Sequence, residues 1–267
     1  MCRSDGCFDS GMVIKLYKGA TTILKKTLFG IRFDDFTLDQ TVMAVKEKIR
    51  NKEATHLLGV NADKINDFYS DDEWYRRVIL EADIVNPDGI SVILASRFLK
   101  KELPERVAGI DLMERLLASS VEENFSVYFL GAKESVLTEM VHRMKEKYPS
   151  LAVCGFRNGY FDESEWDTIA NEIHQCNPDI VFVGITSPKK EYLIDHFIQI
   201  GINSVFMGVG GSFDVLSGNI KRAPKWVQKI GFEWFFRMIQ EPKRLFLRYF
   251  IGNSKFLVKV LKEKYRI

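Results

Sequence analysis

The run Ile180-Val181-Phe182-Val183-Gly184-Ile185 constrains the fold more than any other stretch of this chain. It is apolar throughout and rich in β-branched residues, with Pro178-Asp179 before it and Ser187-Pro188 after it. A run this short and this apolar reads as a strand buried on both faces. Such strands belong to parallel sheets with helices packed above and below.

The rest of the chain repeats the theme. Strand-like stretches at 26–33, 56–60, 84–85, 127–130, 151–156 and 204–207 alternate with segments of helical period. Over 37–50, Leu38, Val42, Val45 and Ile49 share a face, with Thr37 as cap. A single helix is expected over 63–81, with Ile65, Phe68, Trp74 and Val78 as its apolar positions. Further helices are expected behind Gly109, over 134–148 and 163–176, and after Pro188. The expectation is an α/β fold: a mostly parallel sheet with helices on both faces, plus a basic helical C-terminal appendage.

With 46% hydrophobic and 28% charged residues, the 267-residue chain has ordinary globular composition. Its net charge of +2 gives no reason to expect nucleic acid, but the charge is unevenly spread. Residues 221–267 hold thirteen Lys or Arg against Glu233, Glu241 and Glu263, a net +10 that leaves −8 for the first 220 residues. A basic tail of this kind implies an anionic partner. Residues 1–22 read as a disordered lead-in, 23–220 as the core and 221–267 as the appendage. The first residues lack the apolar core of a signal peptide, and Met12 is an alternative start. No apolar run is long enough to cross a membrane. Cys2, Cys7, Cys154 and Cys176 form no paired spacing, so a reducing cytoplasm is the default.

Several motifs carry chemistry, each with a plainer alternative. In Asn86-Pro87-Asp88-Gly89 the proline ends a strand, and a carboxylate follows where ligands bind in open α/β sheets. Asp88 is therefore either a reactive carboxylate or the N-cap of the next helix. The loop Gly208-Val209-Gly210-Gly211-Ser212-Phe213-Asp214 is either a phosphate cradle or a tight turn. Phe213 stands where a dinucleotide fingerprint has its third glycine, which argues against an epimerase or dehydrogenase. Lys189 and Lys190 open a helix, where cations oppose the dipole unless an anion is near; the alternative is a solvated helix start. His56, His142, His174 and His196 lack ligand spacing, and no metal site is expected.

In the tail, Arg244, Arg248, Lys255, Lys259, Lys262 and Arg266 fall along one side of a helix, and Phe246, Phe250, Leu257 and Leu261 along another. The pattern suits an anionic membrane interface. The alternative is a basic helix packed on its own domain with a solvated face.

Taken together these pieces resemble bacterial glycosyltransferase family 26, the WecG/TagA/CpsF group, over residues 24–250. The resemblance rests on Val60-Asn61-Ala62, Asn86-Pro87-Asp88-Gly89, 105–112, Phe129-Leu130-Gly131, 187–191, 208–214, Arg222-Ala223-Pro224, Glu233-Trp234, Arg237 and 241–244. It implies an inverting transfer of a sugar from a UDP-sugar donor to a polyprenyl-diphosphate-linked sugar, at the cytoplasmic face of the membrane, for cell-surface polysaccharide. It implies Asp88 as general base, Arg106 near the acceptor or the diphosphate, and Asn61 at the strand end. Asn61, Lys190, Glu191, Gly210, Gly211, Ser212, Asp214 and Arg222 are the expected substrate-binding residues. Arg237, Arg244 and Arg248 are expected to meet the membrane or the acceptor diphosphate.

Gly59 and Lys190 stand where the family often has Thr and Gln, so the donor sugar is not carried over. The chemistry needs a base for the acceptor hydroxyl and positive charge or amides for the leaving diphosphate, and no cofactor. A homo-oligomer is compatible with this reading. The rival is a membrane-tethered nucleotide-sugar-binding protein without catalysis, which product formation separates from the enzyme.

Overall fold

The computed structural model of the protein describes residues 25–229 and 231–265, the side chains of Lys229 and Arg244 excepted. The expected lead-in over 1–22, Arg266 and the role assigned to the Arg244 side chain lie outside the described residues. In chain order the elements are β1 (Lys25–Leu28), β2 (Ile31–Asp34), α1 (Leu38–Arg50), β3 (Thr55–Val60), α2 (Ala62–Phe68), α3 (Glu73–Glu81) and β4 (Ile84–Pro87). Then come α4 (Ile90–Phe98), α5 (Gly109–Glu123), β5 (Ser126–Gly131), α6 (Glu134–Lys147), β6 (Ala152–Arg157), α7 (Trp166–Cys176) and β7 (Ile180–Gly184). The chain closes with α8 (Lys189–Gln199), β8 (Val205–Gly208), α9 (Ser212–Leu216), α10 (Lys225–Lys229), α11 (Glu233–Gln240) and α12 (Pro242–Tyr265).

Six strands form one parallel sheet in the order β4-β3-β8-β7-β5-β6. Alternate residues of each strand face opposite layers, as a period of two requires. Leu57, Ile84, Phe129, Phe182 and Met207 point to the face covered by α1, α5 and α6. On the opposite face, Leu58, Val60 and Val85 pack under α2, α3 and α4. Beside them, Leu130, Val181, Val183 and Phe206 pack under α7 and α8. The expected α/β architecture with helices on both faces is borne out. β7 is buried at every position except its last, Gly184.

Three expectations need correction. The first strand is a hairpin, with β1 and β2 antiparallel around a turn at Phe29 and Gly30. Buried Asp34 accepts the Val85 N–H at 2.7 Å and ties this hairpin to β4. The single helix over 63–81 is two, because Asp72 caps α3 by accepting the Tyr75 N–H at 2.9 Å. Breaking there shifts the apolar face: Tyr75, Val78 and Ile79 are buried, while Trp74 is 43% exposed and stacks on Tyr192.

The third correction concerns the tail. α12 carries three stripes, not two faces. Leu245, Phe256 and Val260 are buried, and Phe256 meets Phe29 with ring centroids 5.6 Å apart. Phe246, Leu247, Phe250, Leu257, Val258 and Leu261 form an exposed apolar stripe. At 3.6 residues per turn, Arg248, Lys255, Lys259 and Lys262 lie between the two. So the helix packs on its own domain and still presents apolar surface.

Candidate active site

The cleft begins where β3 and β4 stop. Pro87 has no N–H to donate, and the pair ends at Val60↔Pro87. The next residue, Asp88, donates its N–H to the Val60 carbonyl at 2.9 Å and stands at the carboxyl end of the sheet. Its Oδ1 accepts the Gly109 N–H at 2.9 Å. Asp88 is therefore no cap for the helix that follows it: Gly89 occupies the N-cap position of α4, which has no side-chain cap. It serves the first residue of α5 instead. The Val107 N–H bonds the Pro87 carbonyl at 2.9 Å, which folds the chain back and brings Gly109 to the carboxylate. A Cβ built on Gly59 would lie 3.3 Å from Asp88 Cβ and 3.8 Å from Oδ2, so this glycine leaves space beside the carboxylate.

Arg106 is fixed at both ends. Its Nε donates to the Asp88 carbonyl at 2.9 Å, and its Nη2 donates to Glu233 of α11 at 2.7 Å. Glu233 also lies 3.3 Å from Arg222 Nε, and Arg222 pairs with Asp111 at 2.6 Å. Burial pushes the Glu233 carboxyl up, but Arg106 and Arg222 outweigh it and hold it below its ordinary range. This network brings Arg106 and Arg222 together and binds the C-terminal segment to the core.

Asn61 caps α2, its side-chain oxygen accepting the Lys64 N–H at 3.0 Å. On the loop after β8, a Cβ at Gly211 would collide with the Arg237 guanidinium, so Arg237 of α11 lies directly on the glycine turn. Ser212 is buried and its hydroxyl donates to the Val209 carbonyl at 2.7 Å. Asp214 lines the cleft beside it.

Lys189 and Lys190 part company. Lys189 donates to the Phe161 carbonyl and stands 4.6 Å over its ring. Lys190 is only 5% exposed, which corrects the solvated helix start. Glu191 is fully buried behind the wall, where it pairs with Lys64 and accepts the Ser187 hydroxyl at 3.0 Å. Arg248 is farther along α12 and pairs with Asp63 at 2.7 Å.

The cleft has a volume of about 2110 Å³. Asn61, Asp88, Arg106, Lys190, Arg222 and Arg237 line it, as do the glycine turn and the near side of α12, including Arg248. Two site residues escaped the sequence reading. Lys64 sits in the first turn of α2, where the dipole argument used for Lys190 would have found it. Glu233 was part of a motif without an assigned role.

Comparison with known proteins identifies the family. Residues 26–267 match the Glycosyl transferase WecG/TagA/CpsF family. Over 193 residues the chain is 34% identical to the N-acetylglucosaminyldiphosphoundecaprenol N-acetyl-beta-D-mannosaminyltransferase of Bacillus subtilis, covering 72% of this chain and 74% of that one. It is 35% identical over 190 residues to the protein of the same name from Bacillus spizizenii, covering 71% and 72%. With a parallel α/β core, a carboxylate at the sheet's carboxyl end and a match over nearly its whole described length, this chain is a glycosyltransferase and belongs to the WecG/TagA/CpsF family.

Proposed function

We propose that the protein transfers a sugar, with inversion, from a UDP-sugar to a sugar carried on a polyprenyl diphosphate, at the inner face of the membrane. The product feeds cell-surface polysaccharide. Both relatives are named for transfer of N-acetylmannosamine to an undecaprenyl-diphosphate-linked N-acetylglucosamine, which supports this acceptor class. The observation that carries the reading is Asp88. One of its oxygens is held by Gly109, and the space beside the other is left open by Gly59.

In this reading Asp88 takes the proton from the acceptor hydroxyl as that oxygen attacks the anomeric carbon. The bond to the UDP oxygen breaks on the opposite side, and Arg106, Arg222 and Arg237 face the charge that develops there or the acceptor diphosphate. Among the described residues no helix is long and apolar enough to cross a membrane. The exposed stripe of α12, with the basic stripe beside it, provides contact with an anionic bilayer instead. Leu94 and Phe98 of α4, 57% and 47% exposed, extend the apolar surface.

The test is product formation from UDP-N-acetylmannosamine and a lipid-diphosphate-linked N-acetylglucosamine. In Asp88→Asn the amide oxygen keeps the bond to Gly109, but the group cannot accept a proton. Turnover should fall by about 10²–10⁴-fold with the melting temperature unchanged. Turnover close to wild type in a folded Asp88→Asn protein would place the base elsewhere.

A further inference from the structure

Beneath the cleft lies a group of charges that the transfer chemistry above does not use. Lys64 comes from α2, after β3; Lys190 and Glu191 come from the start of α8, after β7. Their exposures are 8%, 5% and 0%. Both ammonium groups are directed to one carboxylate oxygen: Lys64 Nζ bonds Glu191 Oε1, and Lys190 Nζ stands 3.4 Å from the same atom. Ser187 donates to that oxygen too, at 3.0 Å.

Lys190 is thus the less satisfied partner. Its two contacts, Ser187 Oγ at 3.3 Å and Glu191 Oε1 at 3.4 Å, are both long for an ammonium with three donors. Burial, and after it the charge of Lys64, pull the Lys190 ammonium down to about 8. The nearby His56 is buried and held neutral, its imidazole lowered to about 4 chiefly by burial, so it adds no positive charge at neutral pH. The side chain reaches the cleft across the end of β8. A Cβ on Gly208 would lie 2.5 Å from Lys190 Cε, so only glycine lets the lysine through. Lys64 and Lys190 both line the cleft, as does Asp88, whose Oδ1 is already held by Gly109.

We propose that Lys190, backed by Lys64, is an anion subsite in the floor of the cleft that takes a negatively charged group of the donor. A buried cation with weak counter-charge is costly unless a bound anion completes it. The group received is either the donor diphosphate or a carboxylate on the donor sugar. This rests on the nucleotide-sugar reading given above.

The experiment compares Lys190→Gln with wild type in binding UDP, UDP-N-acetylglucosamine and UDP-glucuronate, with melting temperatures on the same preparations. Glutamine keeps much of the length and removes the charge, while Glu191 keeps Lys64. Loss of one charge-assisted hydrogen bond should weaken binding by about 10- to 100-fold. Weakening of all three probes assigns the subsite to the diphosphate. Weakening of UDP-glucuronate alone assigns it to a sugar carboxylate. Equal affinities in variant and wild type overturn the subsite and leave the transferase reading standing. A wild type that binds none of the probes overturns both.

Should Lys190→Gln fail to fold, wild type alone decides. Either pyrophosphate raises its melting temperature, or UDP-glucuronate raises it more than UDP-N-acetylglucosamine does. Absence of both effects overturns the subsite.

Discussion

His56 shows how a single residue reports on its surroundings. It is 4% exposed, in the second position of β3, and its Nε2 has no hydrogen-bond partner among the described residues. Burial is the main cause that lowers its imidazole from 6.5 to about 4, so the folded protein holds it neutral. Between these values the unfolded chain binds a proton that the folded chain does not. Stability is therefore complete above 6.5 and is lost as pH falls toward 4, by about 2 kcal/mol at pH 5 and about 3 in all. Thermal unfolding at pH 7 and pH 5 should show this drop, and His56→Leu should flatten it. The sequence placed His56 at the start of a strand-like stretch and gave it no ligand spacing, but could not show the charges around it, because neighbours such as Glu191 lie far away in the chain. The same distance hid the Lys64–Glu191 pair. Asp88 was legible because its proline, its strand and its turn are all local.

At the scale of elements, what the sequence disclosed depended on how many faces each element buries. β7 is buried on both faces, and its apolar run was unmistakable. The hairpin was missed because its two-residue turn puts Phe29 at φ 54° and Gly30 at φ 75°, and phenylalanine is not a residue that announces such a turn. α12 was misread for a different reason. It has two apolar stripes, and period alone cannot say which one is covered. Removing the whole helix would uncover the core around Phe29 and delete the exposed stripe at once, so point changes discriminate better. Phe256→Ala should cost about 3–5 kcal/mol in chemical denaturation. Phe250→Glu with Leu257→Glu should leave stability near wild type and remove co-sedimentation with anionic liposomes. Liposome binding that survives the double change would mean that this stripe does not meet the bilayer.

Across the whole molecule, the ends of β3, β4, β7 and β8 make the floor of the cleft, and the C-terminal helices make its wall. Glu233 and Arg237 reach from α11 to Arg106 and to the glycine turn, so core and appendage share one site. The wall that closes the cleft is the same helix that carries the exposed apolar stripe, and Leu247, Leu257 and Leu261 of that stripe line the cleft. Under the proposed membrane contact, such an enzyme would meet its lipid acceptor within a plane. Its rate should then follow the mole fraction of acceptor among the lipids of a vesicle, and should fall when plain phospholipid is added at constant total acceptor. In detergent-free assays with a short-chain, water-soluble acceptor that dilution should disappear. On the proposed function, the geometry of one helix would thus set the units in which substrate concentration is counted: molecules per area of bilayer.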